Sequence, residues 1–260
     1  MPESPVLLEI CDGIARLALN RPDAANAIDI PLAVALGEAT ASIEEADGVR
    51  AVLLTGRGPR FCGGGDVRSF AESGDDLGTV LRDVLAALHP AVETLARIPA
   101  PVVAAVQGSA AGAGLALMAG ADLAIAAAST KFVMAYTGIG LAPDGGSTWY
   151  LPRVLGLRRA LDLVLTNRVL SSDEALDWGL VSRVVPDDRL DDEAEAIVAA
   201  LAAGAPGALA SAKRLLRASL SQDLESQLAA EEAAMVAAGE STHGREGVAA
   251  FAEKRPPNFS

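Results

Sequence analysis

Two short runs of the chain, Val49–Thr55 (Arg50 apart) and Val102–Val106, are mainly apolar and rich in β-branched residues, with glycine or proline at their ends. Runs of this length and composition are strands buried in the interior, not the alternating strands of a half-wetted sheet. Each leads into a glycine-rich stretch, Gly56–Asp66 after the first and Gly108–Gly114 after the second. Helical periodicity fills the intervals, with Pro31 suited to a first turn after Asp29 and Leu77, Val80, Leu81, Val84, Leu88, Val92 and Leu95 on one face of a helix over Asp76–Ile98. Strands alternating with helices define an α/β core.

The rest of the chain fits that core. Val6–Cys11 and Ile14–Leu19 read as a hairpin joined by Asp12-Gly13, a favoured two-residue turn. The spacing predicts a helix from Asp29 to Glu45, a short apolar helix over Ala113–Ala119 and a third buried strand over Leu123–Ala127. Beyond Gly146 the pattern is mainly helical: Ser171-Ser172-Asp173-Glu174 is a helix N-cap, and Leu190–Ala203, Pro206–Ser219, Gln222–Ala238 and Ser241–Lys254 are helices. A core over residues 1–200 and a helical region over 201–260 are expected.

Composition excludes several functions. With Lys+Arg 21 against Asp+Glu 34, the net charge is −13, the wrong sign for a general nucleic-acid binder. Two cysteines make no disulfide framework and two histidines no His-rich metal site, so no metal is expected and the general base of any enzyme here is not expected to be histidine. Aromatic residues at 3% disfavour stacking platforms for bases or sugars. Gly108–Ala128 has the length of a membrane span, but its small residues and Asp122 make a buried segment the expectation, with no membrane partner. Met1–Ile10 lacks the basic and apolar regions of a signal peptide, and free cysteines then point to the cytoplasm.

The glycine stretches match no phosphate motif. Gly108-Ser-Ala-Ala-Gly112-Ala-Gly114 lacks the Lys-Ser/Thr of a P-loop and the spacing of a dinucleotide fingerprint, and Gly145-Gly146-Ser147 is not a nucleophile elbow. Cys62 has no histidine placed locally to activate it. Two glycine loops at the carboxyl ends of neighbouring strands can face one crevice, and two backbone N–H groups aimed at one point, one at a helix N-terminus, make an oxyanion hole. Two ordinary tight turns are the alternative.

Four motifs in series carry a resemblance: Asn20-Arg21-Pro22-Asp23-x-x-Asn26-Ala27, Phe61-Cys62-x-Gly64-x-Asp66, Gly108-x-x-Ala111-Gly112-x-Gly114 and Pro143-Asp144-Gly145-Gly146, with Ala250-Phe251-x-x-Lys254-Arg255-x-Pro257-x-Phe259 at the end. In order and spacing they resemble the enoyl-CoA hydratase/isomerase (crotonase) superfamily over nearly the whole chain. The resemblance implies a stacked ββα superhelix with a C-terminal helical region that trimerises, often as a dimer of trimers. It implies an oxyanion hole from the N–H groups of Gly65 and Ala113, which would bind an acyl-CoA thioester oxygen. Coenzyme A enters as the carrier of the substrate, with no separate cofactor. Ala24, Ala25 and Ala27, with Gly63 and Asp66, match the CoA-binding segments; Phe251 and Lys254 match C-terminal residues that reach CoA, across a subunit interface in some members.

Hydratases of the family hold a water with two glutamates, and Ala116 and Tyr136 stand at those positions here. The stretch from Phe132 to Arg153 most resembles the ring-epoxide and enoyl-CoA isomerases of phenylacetyl-CoA degradation, which implies that Asp144 serves as acid and base in a Δ3-to-Δ2 double-bond shift or a ring-epoxide isomerisation. A helix cap is the bland alternative for Asp144. An apolar pocket would raise its pKa and a helix N-terminus at Gly145 would lower it. A hydratase with atypical residues, a non-catalytic acyl-CoA binder and a dehalogenase-like use of the aspartate remain open. Ser69–Thr79 is expected to influence the choice of acyl group.

Overall fold

The computed structural model describes residues 3–259. The chain opens as expected with a hairpin, β1 (Val6–Cys11) and β2 (Ile14–Leu19), turned at Asp12-Gly13 with both residues at positive φ. Helix α1 (Ile30–Glu45) follows, its Asp29 side chain accepting from the Leu32 N–H as N-cap and Pro31 in the first turn. Next come β3 (Ala51–Gly56), a short helix α2 (Val67–Glu72), the long α3 (Leu77–Arg97), β4 (Val102–Val106), β5 (Ser109–Ala111), α4 (Ala113–Gly120), β6 (Leu123–Ala127) and β7 (Lys131–Val133). The remainder is α5 (Ser147–Leu155), α6 (Leu157–Thr166), β8 (Leu170–Ser171), α7 (Ser172–Trp178), β9 (Arg183–Val185) and the helices α8 (Leu190–Ala203), α9 (Pro206–Ala218), α10 (Leu224–Glu240) and α11 (Thr242–Glu253). The N-cap expected at Ser171 forms a full capping box with Glu174.

One sheet runs β1-β2-β3-β4-β6-β9, antiparallel in the opening hairpin and parallel thereafter. Alternation along the strands sends Leu17, Leu19, Val52, Leu54, Val102 and Ala104 to one face, where Leu32, Leu36, Leu88 and Leu95 of α1 and α3 cover them. Ile14, Leu53, Val103, Ala105 and Ile125 go to the other, against Leu190, Ala194, Val198 and Ala202 of α8. A strand buried on both faces needs a continuous apolar run, which is why β3 and β4 look as they do in the sequence. A second sheet, β5-β7-β8, sits at the carboxyl end of the first.

The Gly108–Ala128 segment is split into β5, α4 and β6, and every residue of α4 is buried. No single helix of the described residues is long and apolar enough to cross a membrane. Asp122, which interrupts that segment, anchors the C-terminal helices. Its carboxylate takes Lys213 at 2.8 Å and Arg217 at 2.7 Å, both from α9, and also accepts the Val102 N–H at 2.8 Å.

Candidate active site

The loops after β3 and β4 are laced together. The Phe61 N–H donates to the Gln107 carbonyl at 2.9 Å, Cys62 N–H to Ser109 at 3.1 Å, and Ala111 N–H to Cys62 at 3.0 Å. Contact is so close that a Cβ on Gly64 would lie 2.9 Å from the Ala111 carbonyl oxygen, and one on Gly114 would lie 2.5 Å from Cys62 Cβ. Gly64 also has φ +96°, so glycine is required there for conformation as well as space. Cys62 itself is inert: burial pushes its thiol up to about 12, and Sγ rests on the Asn26 carbonyl at 3.1 Å.

The Asn20–Ala27 turn grips this assembly from the other side. Asn26 is fully buried with φ +54°; its amide donates to the carbonyls of Arg57 (3.0 Å), Arg60 (2.8 Å) and Phe61 (3.0 Å), and its oxygen accepts the Arg21 N–H at 2.8 Å. Gly63 N–H donates to the Ala25 carbonyl at 2.8 Å. Ile28 bridges Gly65 in parallel register: its N–H donates to Gly64 and its carbonyl accepts from Asp66. Gly65's own N–H is therefore turned away from Ile28, and it has no hydrogen-bond partner among the described residues. Ala113 is the first residue of α4, where the N–H has no intrahelical partner, and Gly112 before it is held by its N–H to Val133 at 3.0 Å.

Both Gly65 and Ala113 line a cavity of about 360 Å³. Its walls are otherwise apolar: Ile28, Val67 and Phe70, then Leu81, Val84 and Leu88 of α3. Of the Ser69–Thr79 segment only Phe70 reaches the cavity; the wall belongs to α3 beyond it. Asp144 is the one carboxylate on the lining, with Tyr136 beside it. Two free N–H groups and one carboxylate on an apolar cavity can stabilise a developing oxyanion and move a proton next to it.

Asp144 does not cap α5 with its side chain. Gly145 and Gly146 both take positive φ, the helix starts at Ser147, and the Asp144 contribution there is its carbonyl, which accepts the Ser147 N–H at 3.0 Å. The carboxylate instead accepts a hydrogen bond at Oδ1 from the Tyr136 hydroxyl. Burial raises the Asp144 pKa, while the Tyr136 bond and the nearby His89 of α3 act to lower it. Burial outweighs these two, so the carboxyl lies above its ordinary value, as expected of an apolar pocket. Ala116 packs directly under this turn, 3.1 Å from where a Cβ on Gly145 would sit.

The other expected residues are distributed around this centre. Gly63 lines the cavity. Asp66 caps α2 through the Ser69 N–H and pairs with Arg21 at 3.2 Å, so its side chain is engaged within the fold. Ala24, Ala25 and Ala27 are half-buried in the turn behind Gly63, with their N–H groups all used within the turn. Phe251 and Lys254 are exposed on and just after α11 and do not line the cavity of their own chain. The sequence by itself gives no role to the Asn26 side chain or the Tyr136 hydroxyl; an Asn inside a turn motif is the available signal for the first.

The Enoyl-CoA hydratase/isomerase family model matches residues 9–260. A Rhodobacter capsulatus protein named "Probable enoyl-CoA hydratase" is 42% identical over 97% of this chain and 96% of its own. The 1,2-epoxyphenylacetyl-CoA isomerase of Escherichia coli K12 is 40% identical over 98% of each. Among solved structures, an enoyl-CoA hydratase from Polaromonas sp. JS666 superposes with a TM-score of 0.92 at 34% identity, covering 98% of this chain and 99% of that one.

Proposed function

The chain belongs to the enoyl-CoA hydratase/isomerase family, and from that footing we propose that it is an enoyl-CoA isomerase in which Asp144 is both base and acid. The observation that carries this reading is that Asp144 is the one carboxylate on a cavity also lined by the free N–H groups of Gly65 and Ala113. The thioester oxygen of a 3-enoyl-CoA accepts from both N–H groups. Asp144 takes a proton from C2; the electron pair moves onto the thioester as a dienolate, and the protonated Asp144 returns the proton at C4, leaving the double bond between C2 and C3. Negative charge builds on the oxygen only as the C2 proton leaves, so the hole favours the transition state over bound substrate. Each such donor is worth a factor of about 10²–10³ in rate.

Burial makes Asp144 a stronger base and lets it hold the proton between the two transfers. Hydration would need a second group to hold water, and the residues at the glutamate positions of hydratases are Ala116 and Tyr136. The apolar walls select an uncharged acyl group, because a charged one would be stripped of water without a partner. Ring-epoxide isomerisation is the second reading, favoured by the 40% identity to the Escherichia coli epoxide isomerase.

Ala24, Ala25, Ala27 and Gly63 form the proposed rim for CoA. Leu216, Leu224, Leu228, Met235 and Phe251 are exposed apolar side chains of the C-terminal helices, which supports assembly as a trimer or a dimer of trimers. In such an assembly Phe251 and Lys254 would reach a neighbour's CoA.

The test is a screen of 2-enoyl-, 3-enoyl- and ring-epoxide CoA thioesters with products read by NMR. Conversion of 3-enoyl to 2-enoyl products supports the isomerase. Formation of 3-hydroxyacyl-CoA alone identifies a hydratase, and tight binding with no exchange at C2 identifies a non-catalytic binder.

A further inference from the structure

The proposed reaction gives no part to the hydroxyl of Tyr136. It is a buried phenol, and buried phenolic hydroxyls find a partner. Its partner is Asp144 Oδ1. No other hydrogen bond to that carboxylate is made among the described residues. We infer that Tyr136 is a positioning residue for Asp144: its O–H holds Oδ1, leaving Oδ2 as the one basic oxygen presented to the substrate, so that both proton transfers pass through a single atom on one face of the acyl chain. This rests on the reading of Asp144 as the acid and base.

The tyrosine is placed to do this with little freedom. Its N–H donates to the Met134 carbonyl at 2.6 Å, and its carbonyl accepts from Ile139 at 3.1 Å and Leu141 at 3.0 Å, so the backbone is held from both sides. The ring lies on the Gly112 backbone, where an added Cβ would meet Cε2 and Cζ at 3.6 Å. Gly112 immediately precedes Ala113, the start of α4. One aromatic ring therefore touches the peptide that leads into the oxyanion hole while its hydroxyl holds the acid, which fixes the two halves of the site relative to one another. A rotation of the carboxylate that exchanged its oxygens would break the hydrogen bond in a poorly solvated place, where an unpaired buried group is costly.

The phenol is a donor and not a second base. Burial and the adjacent carboxylate hold its pKa above the ordinary value, so it keeps its proton. Donation to a carboxylate stabilises the charged form, so the bond offsets part of the effect of burial on Asp144. The other titratable group acting on Asp144 is His89 of α3, which a change at Tyr136 leaves in place.

The test is the pH dependence of kcat/KM with the best 3-enoyl-CoA substrate, for wild type, Tyr136→Phe and Asp144→Asn. Phenylalanine keeps the ring on Gly112 and removes only the oxygen. Its acid limb is expected to move up by about one pH unit, with kcat down and KM nearly unchanged. Incorporation of 3-fluorotyrosine at position 136, a stronger donor of nearly the same shape, is expected to move the limb down. If neither replacement moves the acid limb while Asp144→Asn abolishes turnover, the role assigned to Tyr136 is wrong and that of Asp144 stands. If Asp144→Asn turns over at the wild-type rate, both are wrong.

Discussion

The Asn26 side-chain amide donates to the Phe61 carbonyl at 3.0 Å, a buried contact that helps tie the Asn20–Ala27 turn to the loop that carries Gly65. The same amide reaches the carbonyls of Arg57 and Arg60. Asn26→Ala strands buried carbonyls and the Arg21 N–H, and should cost about 3 kcal/mol in urea denaturation. Asn26→Asp should cost more, because a carboxylate would face three carbonyl oxygens. An aspartate variant as stable as wild type would show that the loop is held by other means.

Gly114 has no room for a side chain. A Cβ there would lie 2.5 Å from Cys62 Cβ and 2.7 Å from the Cys62 carbonyl oxygen. Gly114→Ala should push the two loops apart, cost roughly 1–3 kcal/mol, and lower kcat as the N–H groups of Gly65 and Ala113 diverge. Calorimetry and initial rates on the same preparation check both effects; full activity in a destabilised variant would separate the loops' packing from the hole.

Burial raises the Asp144 carboxyl above its ordinary value, so the native protein binds this proton more tightly than the unfolded chain does. The stability it contributes is therefore full below the unfolded pKa near 3.8 and is lost as pH rises through the native pKa. Asp144→Asn keeps an acceptor for Tyr136 and removes the buried charge. The variant should be more stable than wild type at pH 8, with the gap closing as pH falls towards 4. Urea midpoints at several pH values read this; a variant less stable than wild type at pH 8 would contradict it.

Asp122 is the ionic hinge between the core and the C-terminal helices. It holds Lys213, whose side chain is 8% exposed, together with Arg217 and the Val102 N–H. Asp122→Ala leaves a buried ammonium unpaired and should cost about 3 kcal/mol. Early proteolytic cleavage near α9 should accompany the loss, and wild-type resistance would place the hinge elsewhere.

The long elements were legible because their signals are local. β1, β2, β4 and β6 fall where alternation and apolar runs put them, and α8 and α11 lie within a residue or two of their caps. The strand expected over Val49–Thr55 begins two residues later, at Ala51. The sheet β5-β7-β8 was not legible: its strands are two or three residues long and exist only by pairing with each other. The six residues of α2 carry no period that would announce a helix, and its one buried side chain is Phe70. In the site, the glycine loops announced themselves because tight turns need glycine at fixed places. The bond from Tyr136 to Asp144 spans a turn whose path is set by Tyr136, Ile139 and Leu141 through backbone contacts, so side-chain identity alone could not reveal it.

A single carboxylate that removes and returns the same proton can be followed by label. With a 3-enoyl-CoA carrying deuterium at both C2 positions, single turnover in ordinary water should leave part of the deuterium at C4 of the 2-enoyl product, read by NMR. Asp144→Asn should give no product in the same time while still binding the thioester. Deuterium lost wholly to solvent in the wild type, or turnover by Asp144→Asn at the wild-type rate, would contradict one-carboxylate transfer by Asp144.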